Sequence, residues 1–264
     1  MKKFIVFWVA GIMMLAAGCG QAGDKGLKLL ASPADDMFKQ AQALLAEGKM
    51  LEAKAIYQQI VSEHPDFKGI DEAEQALYSL NMKLILSNIQ TPQTVMHEVA
   101  VGDTLGKICK QYGVTMDLVK ASNGLSTDVV RVGQKLRIWT GKFSISVNKA
   151  QNVLILKSDA EIMKVYNVST GANNSTPVGT FKIVTKLVDP VWYKAGAAIP
   201  PESPDNVLGS RWMGFDLKSY GIHGTVAPDK IGQQVTAGCV RMRNPEVEEL
   251  FKIVPMGTEV TIVD

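Results

Sequence analysis

Residues 221–244 read GIHGTVAPDKIGQQVTAGCVRMRN, and this stretch decides how the chain is understood. It sets His223 and Cys239 sixteen positions apart, each beside glycine, in a chain of 264 residues with only three cysteines and three histidines. A cysteine nucleophile acts as its thiolate, and an ordinary thiol with a pKa of ~8.5 is mostly protonated near neutrality. A nearby imidazole can take that proton and later return it to a leaving amine. Gly238 before Cys239 lets a carbonyl approach the backbone closely, and the backbone amides there are candidates to hold an oxyanion. Arg241 puts a fixed positive charge two residues past the thiol, suited to a substrate that carries carboxylates. Composition alone favours a second reading, a buried structural cysteine and histidine that never meet, because such residues are common.

Outward from this stretch the pattern is β-rich. Phe143, Ile145 and Val147 alternate, as do Val153 and Ile155, followed by Val165, Asn167 and Ser169. A further pair of strands is expected around Thr180 to Val184, and a last strand at Val260 and Ile262. Glu246 to Ile253 reads as one helix, with Pro245 in its first turn.

Upstream, residues 97–139 follow a strand–helix–helix–strand order. Val99 and Val101 suggest the first strand, and Gly102-Asp103-Thr104 turns and caps a helix with Asp103 or Thr104 as N-cap. Leu105, Ile108 and Tyr112 share a helical face that also carries Cys109, read as a buried, inert thiol. Met116, Leu118 and Val119 open a second helix that ends at Asn123-Gly124. Val132-Gly133-Gln134 then turns into a strand from Lys135 to Trp139. Before this, Phe38, Ala41, Leu44 and Leu45 share one helical face, Leu51, Ala55, Ile56 and Ile60 outline another beside Tyr57, and a third helix is expected from Asp71 to about Leu86.

The amino terminus is MKKFIVFWVAGIMMLAAGCG. Two lysines precede an uncharged run from Phe4 to Ala17, which is short for a membrane span of about 20 residues and has the length of a signal-peptide core. The net charge of +2 comes from 28 basic and 26 acidic residues, so losing Lys2 and Lys3 leaves 26 against 26. That balance excludes an electrostatic case for nucleic-acid binding. The composition, 46% hydrophobic and 20% charged, is that of a chain able to bury a core.

Four resemblances follow from these residues. Ala16-Ala17-Gly18-Cys19 resembles the lipobox of bacterial lipoproteins, with Ala16 where many have leucine; it implies cleavage before Cys19, acylation of that thiol, and anchorage to a membrane outside the cytoplasm, facing the cell wall (the periplasm if the cell has two membranes). Gly20 stands where the family's inner-membrane retention signal has aspartate. A plain secretory signal is the other reading. Ala41, Gly48, Ala53, Tyr57 and Pro65 resemble a tetratricopeptide repeat, which implies a spacer, a protein-docking patch or a dimerisation element; a simple helical hairpin is the alternative. The strings VGDTL, YGVT, SNGL and VGQKLRI resemble the LysM module, which implies binding of N-acetylglucosamine-containing glycan through the loops around Gly102, Asp103 and Thr104 and around Val130 to Gly133, Val132 included.

The fourth covers residues 142–264. IHGT at Ile222–Thr225 and TAGCVRM at Thr236–Met242, with TPVGTF at Thr176–Phe181, PVWY at Pro190–Tyr193, NVLG at Asn206–Gly209 and VPMGT at Val254–Thr258, are similar to the YkuD-type L,D-transpeptidase family. The resemblance implies Cys239 as nucleophile, His223 as base and then acid, the Gly224 carbonyl as orienter of the imidazole, and the Gly238 and Cys239 amides as oxyanion hole. It gives Arg241 a part in steadying the site or substrate carboxylates, and makes Trp192, Tyr193 and Thr236 substrate-side residues, with Asp189 to Ser210 as a lid. Ala237 replaces a second histidine found in many members. No cofactor and no metal are implied.

The expected architecture is multidomain α+β: a signal peptide over 1–18, a tether over 19–33, a helical hairpin repeat over 34–88, a βααβ LysM module over 95–140, and a mostly-β catalytic domain over 142–264, β-sandwich-like with one or two helices. The expected partners are peptidoglycan, both stem peptide and glycan, the membrane through the lipid, and a protein partner of the helical segment. The implied reaction releases D-Ala from a stem tetrapeptide and passes the acyl group to an amine. A non-catalytic wall-binding lipoprotein and a carboxypeptidase or hydrolase of the same fold are the competing readings.

Overall fold

A computed structural model describes residues 32–194 and 196–264. The leader and Cys19 lie outside the described residues. No helix among the described residues is long and apolar enough to cross a membrane.

The first module is three helices, α1 (Pro33–Ala46), α2 (Met50–Glu63) and α3 (Ile70–Leu86). Ser32 and Asp35 form a reciprocal capping box at the start of α1, with Pro33 in its first turn. Ala41 and Ala53 are fully buried where α1 meets α2. The buried stripe of α2 is Ala53, Tyr57 and Ile60, not the expected Leu51 and Ala55, which are exposed. That face is set by two neighbours, since Ala53, Tyr57 and Ile60 share one buried cluster with Ala41 of α1 and with Leu77, Leu80 and Leu84 of α3.

The second module is β1 (Thr94–Glu98), α4 (Leu105–Tyr112), α5 (Met116–Asn123) and β2 (Lys135–Trp139), with β1 and β2 antiparallel. The first strand thus ends one residue before the expected Val99. The Val99 backbone still pairs with Gly133 and Gln134 beyond the ladder, but Val101 lies in the turn closed by the Asp103 amide on the Ala100 carbonyl and projects into solvent. Thr104 is the N-cap of α4, accepting from the Lys107 amide. Asp103 is used differently: it accepts from the Ala100 amide at 2.8 Å and meets His97 Nε2 at 3.3 Å.

The third module holds strands β3 (Phe143–Asn148), β4 (Val153–Ser158), β5 (Glu161–Asn167), β6 (Thr170–Gly171), β7 (Gly179–Val188), β8 (Trp192–Lys194), β9 (Ala197–Ile199), β10 (Arg211–Phe215), β11 (Gly221–His223), β12 (Gln234–Thr236) and β13 (Val240–Arg241), then helix α6 (Asn244–Ile253) and strand β14 (Glu259–Val263). Eight strands form one sheet in the order β13-β11-β10-β7-β14-β3-β4-β5. The strand pair expected near Thr180 is the single ten-residue strand β7. Its first part, Gly179–Lys182, pairs with β14 and its second, Ile183–Val188, pairs with β10. One strand therefore belongs to two sheet halves, which is how a sandwich-like core arises without two separate sheets. Ile145, Leu156 and Val260 from one half share a core with Met213, Ile222 and Val240 from the other, together with Val247 and Leu250 of α6.

Candidate active site

Strands β11 and β13 run parallel, pairing Ile222 with Val240 and His223 with Arg241. Side chains alternate along a strand, so Cys239, Arg241 and His223 fall on one face. Extending the register by one residue sets Cys239 beside Gly221, whose backbone hydrogen-bonds the thiol. The three side chains line one cavity of about 400 Å³, walled by Trp192, Tyr193 and Trp212. The pair expected from the sequence is thus brought together by strand pairing that the sixteen-residue separation does not show.

His223 is buried, and its Nδ1 meets the Gly224 carbonyl at 2.7 Å. A carbonyl only accepts, so Nδ1 carries the proton and Nε2 is the basic nitrogen. Burial pushes the imidazole from its usual 6.5 down to about 4; the Arg241 guanidinium acts in the same direction, and the Gly224 carbonyl opposes both. Burial also raises the Cys239 thiol, against the backbone hydrogen bond at Gly221 and the Arg241 charge. Both shifts favour neutral forms, so the resting pair is thiol and imidazole rather than thiolate and imidazolium. The thiol donates to the Ser219 carbonyl at 3.5 Å.

The loop that presents the thiol is held by Thr236. Its hydroxyl donates to the Cys239 carbonyl at 2.7 Å and accepts from the Gly238 amide at 3.1 Å. This alters two expectations. The Thr236 hydroxyl, expected on the substrate side, is engaged with the loop, although the residue lines the cavity. The Gly238 amide is already donated, which leaves the Cys239 amide, with no hydrogen bond among the described residues, as the open backbone donor of this loop. Gly238 has φ +129°, and a Cβ there would meet the Tyr220 ring at 2.7 Å, so only glycine fits.

Two residues outside the expected set build the rest of the site. Asn244, at the start of α6, accepts from the Ser210 amide at 3.2 Å and from the Thr225 amide at 2.9 Å. It clips the end of the segment Asp189 to Ser210, expected as a lid, to the turn after His223, and its Oδ1 fills the space in which Gly224 lacks a side chain. Trp212 of β10 is opposite His223 in the ladder and stacks on it, centroids 6.0 Å apart at 24°. The lid carries the hairpin β8–β9, and buried Asn206 ties it by donating to the carbonyls of Pro190, Ile199 and Pro200. Trp192 is half-buried and Tyr193 is 76% exposed, so the two form an outer wall rather than core. Arg241 is half-buried, and its Nε finds no hydrogen-bond partner. Ala237 is exposed at the cavity rim. Asn244 is the last residue of the quoted stretch, but nothing in its spacing marks it as a clip.

Gly102, Asp103, Thr104 and Val132 are in the loops of the second module, outside this cavity, and Val132 is 65% exposed. Among the described residues no group of three or more acidic, His or Cys side chains is placed to hold a metal. Cys109 and Cys239 are both free thiols, and Cys109 is buried, with burial pushing it up to about 11.

Comparison with known proteins places this geometry in context. Residues 142–262 match the L,D-transpeptidase catalytic domain and residues 97–139 the LysM domain. YqjB of Bacillus subtilis (strain 168), whose name assigns it to the L,D-transpeptidases, is 43% identical over 126 residues, covering 46% of this chain and 70% of that protein. YkuD of the same strain, likewise named, is 32% identical over 174 residues, covering 63% of this chain and 97% of its own length. The chain belongs to the L,D-transpeptidase family. A solved L,D-transpeptidase from Mycobacterium smegmatis aligns at 17% identity and a TM-score of 0.41 over 51% of this chain and 65% of that one.

Proposed function

We propose that this protein is a cysteine-dependent L,D-transpeptidase that acts on peptidoglycan stem tetrapeptides through a thioester. The observation that carries the reading is the His223 imidazole, held at Nδ1 by the Gly224 carbonyl, on the same strand-pair face as Cys239. As Cys239 Sγ attacks the carbonyl carbon before the terminal D-Ala, its proton passes to His223 Nε2. The Cys239 amide supports the oxyanion. Collapse of the tetrahedral intermediate breaks the peptide bond, and His223 returns the proton to the departing D-Ala amine. An acceptor amine, in a 3-3 cross-link or in protein anchoring, then attacks the thioester, gives up its proton to His223, and releases the thiol. The neutral resting pair suits this order, because proton transfer accompanies attack instead of preceding it.

The unpartnered Arg241 suits a substrate carboxylate, and Arg is the side chain that binds carboxylates in a fork. The LysM module implies peptidoglycan as ligand, with its loops at Gly102 to Thr104 and Val132 as the glycan contacts. Asp103 serves there by ordering the loop through Ala100 and His97. Acylation of Cys19 and anchorage facing the cell wall remain part of the proposal, supported by the leader sequence and checked by mass spectrometry of the amino-terminal peptide.

The decisive experiment mixes protein lacking residues 1–19 with disaccharide-tetrapeptide, beside a Cys239→Ala control. Loss of D-Ala with a cross-linked dimer, absent from the control, is the expected result. Tripeptide without dimer assigns water as the acceptor. No turnover and no thioester on Cys239 removes the enzyme reading and leaves a wall-binding protein.

A further inference from the structure

The helical segment is the part of the chain that the catalytic reading leaves without a task. Its third helix is buried on two sides. Leu77, Leu80 and Leu84 pack with Ala53, Tyr57 and Ile60 of the helical module, while Met82 and Ile85 belong to the core that the second and third modules share. Polar bonds tie the same helix to both neighbours. Asn81, fully buried, donates to the carbonyls of Ile162 and Met163 in β5 of the catalytic module, at 3.2 and 3.3 Å. Glu161, at the start of that strand, accepts from Gln58 at 2.8 Å and pairs with Lys54 at 2.6 Å. At the other end, Arg137 of the LysM strand β2 is 1% exposed and donates to the carbonyls of Leu84, Ile85 and Ile89, closing the carboxyl end of the helix. A guanidinium there satisfies orphan carbonyls and faces the negative end of the helix dipole.

Domains joined only by linkers move relative to one another unless a large apolar interface stops them. Here a continuous core and buried polar bonds join the modules, while the LysM loops at Val101 and Val132 remain exposed. We propose that the helical segment is an internal brace, fixing the glycan-binding loops in one orientation to the Cys239 cavity, so that the enzyme selects stem peptides carried on the same glycan polymer that the LysM module grips. This rests on the transpeptidase reading above. A fixed spacing raises the effective concentration of stems that match it and lowers it for all others.

The test compares kcat/KM on long, uncross-linked glycan chains bearing tetrapeptides with kcat/KM on the disaccharide-tetrapeptide, too short to engage both sites. Asn81→Ala loosens the catalytic end of the brace and Arg137→Lys the LysM end, since a lysine cannot reach three carbonyls in a fork. Each is expected to lower the polymer-to-disaccharide ratio roughly tenfold, with the disaccharide rate held within about twofold. If either variant loses the disaccharide rate, its fold has failed, and Glu161→Ala, at a part-exposed joint, replaces it with the same expected fall. A ratio unchanged in the folded variants, or a wild type without polymer preference, overturns the brace alone. A wild type that turns over neither substrate overturns the transpeptidase reading and this inference with it.

Discussion

Trp212 stacks on His223, with ring centroids 6.0 Å apart and 24° between the planes, and the two residues are direct partners in the β10–β11 ladder. The indole closes one side of the imidazole while the Gly224 carbonyl holds Nδ1, so the ring has little freedom to turn. Gly221 leaves the room: a Cβ there would meet the indole at 3.0 Å. Trp212→Ala is expected to lower kcat by roughly 10- to 100-fold, the effect of small misplacement of a reacting group. Trp212→Phe keeps a flat neighbour and should recover most of that rate. A merely structural role predicts that both variants lose stability and kcat in parallel.

The low pKa of His223 fixes two pH dependences. For catalysis, the imidazole must be neutral to accept the thiol proton, so the acid limb of kcat/KM should lie near 4 rather than near 6.5. For stability, the folded pKa lies below the unfolded one, so the unfolded chain binds the proton first as pH falls. The contribution is complete above about 6.5, declines as pH drops toward 4, and amounts to about 3 kcal/mol. Urea titrations from pH 7 to 4 should show this slope, and His223→Gln should flatten it.

Asn244 holds two part-buried amides with one oxygen. In Asn244→Ala the Ser210 and Thr225 amides lose their acceptor, and each unsatisfied group costs about 1–3 kcal/mol. The expected fall in Tm is roughly 5–10 °C. Asn244→Asp retains the acceptor and should stay near the wild type. Differential scanning calorimetry of the three proteins decides the point, and equal losses in both variants contradict the clip.

Arg241 has a buried Nε without a partner, in a cavity whose cysteine thiol is two residues away. Arg241→Gln is expected to reduce kcat/KM roughly 10- to 100-fold on a stem with a free terminal carboxylate, the range for a hydrogen bond to a charged group. On the corresponding terminal amide the variant and wild type should differ much less. Equal losses on both substrates would make the arginine a structural cation.

Much of this protein is legible in local sequence, because the signals concerned are local. Gly113 and Gly124 end α4 and α5 in the left-handed conformation, Thr104 caps α4, and Pro245 starts α6, each through bonds to residues within a turn. The alternation at Phe143–Val147 marks β3 for the same reason. His223 and Cys239 stand out because thiol chemistry needs those groups, Gly224 only through the family resemblance, and the register of two short strands brings them together. Local sequence fails where a residue's partner is remote. Val101 has the side chain of a strand but no strand to pair with, and β7 reads as two strands because its two halves serve different neighbours.

The sequence by itself determined the order of the three modules and the helix ends and marked His223 and Cys239 as the candidate pair, all of which depend on side-chain chemistry and near neighbours. Only the tertiary structure decided that Thr236 occupies the Gly238 amide, that Trp212 and Asn244 support the site, and that Arg137 and Asn81 join the modules around α3. Those bonds link residues 2 to 82 positions apart, and their partners are mostly backbone carbonyls and amides. Every residue carries such groups, so no pattern of side chains can announce which of them will meet.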